Sequence, residues 1–457
     1  MSSTKVQEVT HKRLASPDYA TAHFQSHKRS RRFEDTRQEE QKDDAVDPSI
    51  ITKKQKSDKA TSANTNTSIP IPVAEASNTS IETISQISFD KRHQSVLSVI
   101  HFKQPLKIQT EYPIPEISPY EILVQNKAIG LNPIDWKGKK YGFGIYHFPW
   151  INGRESSGDI VKVGSKVNST TKDASLSVGD KVIVSSTSYR DNRTSTFQHF
   201  TAIDSRLVWK LPHHFTYEDG ATIGVGLVTA GILFYSSFGF DLTATPSKRK
   251  GTLLIWGGST IVGIYVAQLA KLHGLTVISI AGTRHAEYLK SLGVDYVIDR
   301  FLSDDEIEAK ANEYSPDGMD YGIDCVSKET AIKVLNILDA NSGKLKHYSK
   351  VGPESNSEAT QESAERSPLF AGVVGVPKED QAPKSVVLKP VIIKRFHEDV
   401  DFGAQFIQVT SNFLAESKIK PARYKQFNGG LEIIEDALND LEKIGANGEK
   451  YVVSIRE

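Results

Sequence analysis

Ile255-Trp256-Gly257-Gly258-Ser259-Thr260-Ile261-Val262-Gly263 joins a buried-strand run, Thr252 to Trp256, to an apolar helical stretch, Ile261 to Leu272. Glycines in such a place let the backbone turn sharply and come close to a pyrophosphate. The helix that follows offers N–H groups with no intrahelical partner. In the G-x-G-x-x-G register Gly258 and Gly263 take the first and third positions, but Thr260 takes the middle one, so the strict pattern fails. A tight turn that binds nothing would look similar locally. The strand before it and the helix after it favour a dinucleotide phosphate site built from Gly257, Gly258, Ser259, Thr260, Ile261, Val262 and Gly263.

Toward the C-terminus the alternation continues. Leu275 to Ile280 reads as a strand, His285 to Leu292 as a helix, and Tyr296 to Ile298 as a further strand. Strand and helix at this spacing predict βαβ units and a parallel sheet. The second strand of such a unit selects the cofactor, because an acidic residue there holds the ribose hydroxyls of NAD. Here the strand runs into Ala281-Gly282-Thr283-Arg284-His285, with no acid. The missing acid, with Thr283 and Arg284 in its place, favours NADPH, since a guanidinium pairs well with a 2′-phosphate. Residues 353–385 read as a polar surface insertion, and Lys450 to Ile455 as a closing strand.

Toward the N-terminus the period shortens. Val96 to Ile100, Tyr120 to Gln125, Val161 to Val163 and Lys181 to Val184 are short strands between Gly and Pro turns, which predicts an all-β module. Tyr217 to Phe234 is a long, mostly apolar helical stretch. The first 90 or so residues are rich in Ser, Thr, Lys, Glu, Gln and Asp and hold too few apolar side chains to offset chain entropy. Two basic clusters lie there, His27 to Arg32 and Lys53 to Lys56. They are read as parts of a solvated tail rather than a nuclear-localisation or nucleic-acid patch, because acids such as Glu34, Asp35, Glu39 and Glu40 follow closely.

Over all 457 residues, 56 basic and 56 acidic side chains cancel, so no global charge argues for nucleic acid or an anionic membrane surface. The lone cysteine, Cys325, excludes an internal disulfide framework and a Cys-rich zinc lobe, and suits a reducing compartment. It falls on a predicted strand and reads as a small buried hydrophobe. No apolar run approaches the roughly 18 residues needed to span a bilayer. The expectation is a soluble protein of the cytoplasm, with the nucleus as the alternative the basic clusters leave open. His213-His214 read as surface residues, for want of further ligands at metal spacing.

A family resemblance follows from a set of landmarks in order. They are Gly130-Leu131-Asn132-Pro133-Ile134-Asp135-Trp136-Lys137, Gly153-Arg154-Glu155-Ser156-Ser157-Gly158, Val178-Gly179-Asp180, Gly226-Leu227-Val228-Thr229-Ala230-Gly231, the Gly257 loop, Leu292-Gly293-Val294-Asp295 and Gly448-Glu449-Lys450. Residues 94–457 resemble a medium-chain dehydrogenase/reductase, within it the zinc-free quinone oxidoreductase and fungal enoyl-reductase-like branch. The resemblance implies an α/β fold: a GroES-like β-rich catalytic domain and a Rossmann domain with a doubly wound parallel sheet. It divides the chain into a disordered tail at 1–92, the catalytic domain at 93–225, the NADP-binding domain at 226–394 and a C-terminal return at 395–457. Zinc-dependent members place a Cys where Asn132 stands, a His where Arg154 stands, and a third ligand near Val228. All three are missing, so no metal is expected.

The resemblance further implies hydride transfer from NADPH to a quinone, an enone or enal, or an aldehyde. Without a Lewis acid, hydrogen-bond donors must stabilise the oxygen that gains charge. By resemblance Lys137 is the best donor, Asp135 orients Lys137 or bonds backbone, and Thr229 opens the helix that lies against the nicotinamide. Asn132 and Lys450 are placed with the cofactor. Tyr141 and Tyr146 are nearby phenols, read as loop or core aromatics. The expected partner is a small-molecule substrate, with a homodimer implied by resemblance and neither nucleic acid nor membrane expected. The alternative is a catalytically weak NADPH sensor or scaffold whose basic tail meets a nuclear partner or nucleic acid.

Overall fold

Strand pairing divides the described residues, 92–169, 175–186, 190–345 and 367–455 of this computed structural model, into two regions of different construction. The first eight strands are β1 (His93–Val99), β2 (Lys107–Pro113), β3 (Glu121–Leu131), β4 (Trp150–Ile151), β5 (Glu155–Val163), β6 (Lys181–Ser185), β7 (Phe200–Asp204) and β8 (Val208–Lys210). The next six are β9 (Thr252–Trp256), β10 (Thr276–Ala281), β11 (Tyr296–Asp299), β12 (Tyr321–Asp324), β13 (Leu369–Gly372) and β14 (Val387–Leu388). The chain ends in β15 (Tyr424–Asn428) and β16 (Lys450–Ser454). The basic clusters of the tail lie outside the described residues.

The second region is a parallel sheet in the order β11-β10-β9-β12-β13-β14. Chain order reverses beside β9, the first strand laid down, so the crevice of a doubly wound sheet opens at its C-terminal end. β9 is buried throughout because both faces are covered. Leu253 and Ile255 point into one apolar cluster, Leu254 and Trp256 into the other. The first region carries a β2-β1-β4 sheet and a larger one, β15-β16-β3-β5-β6-β8 with β7 on β3. The α/β fold, a GroES-like module with a Rossmann-like parallel sheet, is the one expected.

Register brings three strand ends together. Gly130 stands opposite both Glu155, at the start of β5, and Val452; Leu131 stands opposite Tyr451. The residue after β3, the first of β5 and the first of β16 therefore meet at one edge of the sheet. A Cβ on Gly130 would lie 2.7 Å from Glu155 Cγ, and one on Gly224 would lie 3.1 Å from Glu155 Cβ. Both glycines leave room for the Glu155 side chain and for a neighbouring backbone carbonyl, Ala221 O at one and Val184 O at the other.

Two expectations need correction. The stretch Tyr217–Ser237 is long and apolar enough to cross a bilayer by length and composition, with a mean hydropathy of 1.4, yet 89% of its most apolar window is buried inside the fold. Small and hydroxyl residues interrupt the apolar run and hide its length in the sequence. It consists of a turn of helix at Tyr217–Gly220, helix α1 (Gly224–Gly231) and a π-helical end at Ile232–Ser237. Tyr265 packs on Gly226 and Phe406 on Gly231, so it is apolar all round because it is covered all round. The polar insertion at 353–385, as far as it is described, is also not all loop. It contains β13, whose Phe370 and Ala371 are fully buried. Leu369 to Val376 is an apolar run of the length a buried strand needs, set inside a segment whose overall composition is polar.

Candidate active site

The phosphate loop sits at the C-terminal end of β9 and runs into helix α2 (Ile261–Leu272). Gly257 has φ +85, a conformation that favours glycine, and its N–H is held by Ile280. A Cβ on Gly258 would lie 1.9 Å from Ser279 Oγ, and one on Gly263 would lie 2.4 Å from Gly257 O. The loop is thus pressed against β10 and the helix against the loop. Thr260, at the middle position of the fingerprint, is the N-cap of α2, and its hydroxyl accepts from Gly263 N at 3.1 Å. The departure from glycine therefore has a reason, since a capping threonine closes the helix. The N–H groups of Ser259, Ile261 and Val262 have no acceptor among the described residues. The Ser279 hydroxyl below the loop is fully buried and likewise without a partner among them.

At the end of β10, Thr283 and Arg284 lie on a short 3-10 turn, both exposed. Arg284 Nε donates to His285 Nε2 at 3.1 Å. Burial lowers the His285 pKa, and the charges of Arg284, Arg423 and Arg300 lower it further. The charges of three arginines therefore act on this imidazole. Arg300 follows β11, and Arg423 lies 3.9 Å from the Tyr288 ring centroid. The sequence signalled Arg284 alone. Arg300 and Arg423 come from other elements, and only the sheet order brings them to this end.

At the other edge of the cleft, Asn132, Glu155 and Lys450 form one buried network. Asn132 Nδ2 donates to Glu155 Oε1 at 2.6 Å, and Lys450 Nζ donates to Asn132 Oδ1 at 2.8 Å. Lys450 also pairs directly with Glu155 Oε1. The second carboxylate oxygen accepts from Val225 N at 3.0 Å. No local pattern in the sequence links Glu155 to a residue 295 positions away. Beside it Arg154 is buried and donates to Gly144 O at 3.3 Å.

Asp135 does not hold Lys137. It caps the helix Pro133–Tyr141, its Oδ2 accepting from Asn132 N at 2.8 Å. Burial raises its pKa to about 6, against the lowering pull of Arg154, the Asn132 N–H and Lys450. Lys137 is half-buried, 5.6 Å from the Trp136 ring centroid, and has no carboxylate partner among the described residues; burial lowers its pKa. Thr229 is buried, and its hydroxyl donates back to Val225 O at 2.7 Å. Tyr141 is exposed beneath Lys140, and Tyr146 packs beside Trp150. Cys325 is buried, its thiol pushed up to about 12, and so is unreactive. His213 and His214 lie at the surface.

The positions that hold zinc ligands in zinc-dependent relatives thus carry a carboxamide already bonded on both atoms, a guanidinium and an isopropyl group. Zinc takes thiolate, imidazole and carboxylate donors. Among the described residues no group of three or more His, Cys, Asp or Glu is gathered as a metal would need.

Residues 118–213 match the alcohol dehydrogenase GroES-like domain family, and residues 262–360 the zinc-binding dehydrogenase family. The trans-enoyl reductase ACTTS2 of Alternaria alternata is 29% identical over 350 residues, covering 76% of this chain and 94% of that protein. Among solved structures, an alcohol dehydrogenase superfamily protein from Novosphingobium aromaticivorans superposes with a TM-score of 0.63 at 20% identity, covering 79% of this chain and 100% of that one. A mycobacterial protein solved in complex with NADPH superposes with a TM-score of 0.58 at 22% identity, covering 79% and 99%. With a β-rich module and a parallel sheet joined in this order and a phosphate loop at the end of β9, the chain belongs to the medium-chain dehydrogenase/reductase superfamily and is an oxidoreductase of that type.

Proposed function

We propose that this chain is an NADPH-dependent, zinc-free reductase that delivers hydride to an activated double bond or carbonyl of a small molecule: a quinone, an enone or enal, or an aldehyde. The observation that carries the reading is the Gly257–Gly263 loop, with unpaired N–H groups at a helix N-terminus and the arginines of the β10 end beside it. Bound there, a reduced nicotinamide supplies the hydride. Ser259, Ile261 and Val262 would hold the pyrophosphate through backbone N–H groups, and Arg284, with Arg300 and Arg423, would face the 2′-phosphate. The donor set at 132, 154 and 228 does not fit zinc, so the oxygen that gains charge must be met by N–H donors. Lys137 is the group for this task. It is half desolvated and not neutralised by a neighbouring carboxylate, so its charge acts at nearly full strength.

Titrating the purified chain with NADPH and with NADH, beside Arg284→Ala, tests the reading. Wild type should favour NADPH. The variant should lose roughly tenfold or more of NADPH affinity, the worth of one charge-assisted hydrogen bond, with NADH little changed. Failure of the wild type to bind either cofactor would overturn the proposal. We further propose a homodimer joined through the edge strand β14, a reading supported by the exposed Val387; a monomer mass by light scattering would reject it. For the compartment the proposal is the cytoplasm, in keeping with a single reduced, buried thiol.

A further inference from the structure

Asn132, placed by resemblance with the cofactor, and Thr229, placed by resemblance on the helix against the nicotinamide, are tied to the same carboxylate. Glu155 accepts from the Asn132 side chain through one oxygen and from Val225 N through the other, and Val225 O receives the Thr229 hydroxyl. Lys450 completes the arrangement from β16, donating both to Glu155 and to Asn132 Oδ1. An asparagine amide can sit in either of two orientations, and here the charges decide between them. A carboxylate accepts only and an ammonium donates only. Turning the amide over would set Oδ1 against Glu155 and Nδ2 against Lys450, losing both bonds at once. Glu155 is 0% exposed and Lys450 2%, whereas Asn132 keeps 7%. Asn132 is the least buried of the three, and one of its two amide hydrogens has no partner among the described residues.

We propose that Lys450 is a positioning residue, which acts with Glu155 to fix the Asn132 carboxamide so that its free N–H is the group offered to the bound reactants. The proposal rests on the reductase reading for what Asn132 meets, but not for the orientation itself. In this role Lys450, 2% exposed, acts through the Asn132 carboxamide.

The test pairs turnover with a readout that needs none. In Lys450→Met, kcat should fall roughly 10- to 100-fold, the value of one hydrogen bond to a group gaining charge, while NADPH affinity changes little. Lys450→Arg, which keeps a donor of the same charge, should recover most of the loss. In an Asn132→Ala background the Lys450→Met change should cost almost nothing further, because it acts through a group already gone. Full additivity of the two losses would overturn the proposal. Should Lys450→Met fail to fold, Glu155→Gln with Lys450→Met removes both charges together and leaves no lone buried ion. That variant should fold and still lose kcat. Selective ¹⁵N labelling of asparagine, with the Asn132 side-chain signal assigned by its loss in Asn132→Ala, supplies the second arm. The wild-type signal should be shifted from the free-amide position and should return toward it in the folded charge-removed variant. An unmoved signal would overturn the proposal whatever the chain reduces. A moved signal in a chain that does not turn over NADPH would sustain the orientation and reject the reductase reading.

Discussion

The Gly257–Gly263 loop and the Asn132–Glu155–Lys450 centre are built from opposite materials. The loop is seven consecutive residues whose working groups are backbone N–H donors, with glycines at its close approaches and Thr260 capping the helix. The centre is three side chains from three strand ends, two of them charged and all of them buried. A backbone site is vulnerable to volume. A buried charged site is vulnerable to the loss of a partner. The two should therefore break differently: the centre through stability and protonation, the loop through cofactor affinity.

The largest effect should come from breaking the ion pair. Glu155→Leu leaves the Lys450 ammonium buried with a single carboxamide acceptor and takes the acceptor from Val225 N. Removing one partner of a buried pair costs roughly 3–5 kcal/mol. Denaturant unfolding of the variant should show a loss of that order. A loss below about 1 kcal/mol, the worth of an exposed pair, would mean that the centre is wet and that the contrast with the loop is false.

The two regions also differ in how much of them could be read in advance. The loop was legible because its strand, glycines and helix are adjacent in the chain, and local pattern reports local geometry. So were β9, β10 and β11 of the parallel sheet and β3, β5, β6 and β16 of the larger β sheet. The centre was not legible. Its members lie at 132, 155 and 450, and their meeting depends on β16 pairing antiparallel with β3, a register that no window of sequence contains. Family resemblance placed Asn132 and Lys450 with the cofactor but gave no reason for Glu155. Of the two roles open to Asp135, orienting Lys137 or bonding backbone, the second holds: residues two apart on a helix do not face each other, and the carboxylate turns back to the Asn132 N–H.

Asp135 gives the second prediction, since a charged centre answers to pH and a backbone loop does not. Burial raises its pKa to about 6 from 3.8. Between those values the folded chain holds a proton that the unfolded chain has released. Stability from this group is therefore greatest at the acid end, falls as pH rises through the window, and is level above it. The swing is at most about 3 kcal/mol, two pKa units at 1.36 kcal/mol each. It is read as the difference in unfolding free energy between wild type and Asp135→Asn, which keeps an oxygen for the cap and cannot titrate. The difference should move in the variant's favour from pH 4 to 6.5. A flat difference would show that the carboxylate is ionised throughout and better solvated than its burial implies.

The smallest effect on stability should come from the loop, with its consequence concentrated in binding. Gly258→Val places a Cβ where Ser279 Oγ now stands 1.9 Å away, and Ser279 lies on a central strand that cannot retreat without breaking its ladder to β9. The loop must move instead. Overpacking of this kind costs roughly 1–3 kcal/mol, which appears as about 10- to 100-fold weaker NADPH binding when the distortion falls on the N–H groups that hold the pyrophosphate. Ser279→Gly in the same chain removes the obstruction and should restore part of the affinity, because the clash is local. If Gly258→Val bound NADPH as wild type does, the loop would be a structural turn, and the cofactor reading would lose the observation that carries it. If the double variant recovered nothing, the loss would belong to the valine side chain covering the N–H groups rather than to displacement of the loop. The hydrogen-exchange rates of the Ser259 and Ile261 amides, raised by displacement and lowered by cover, separate those two causes.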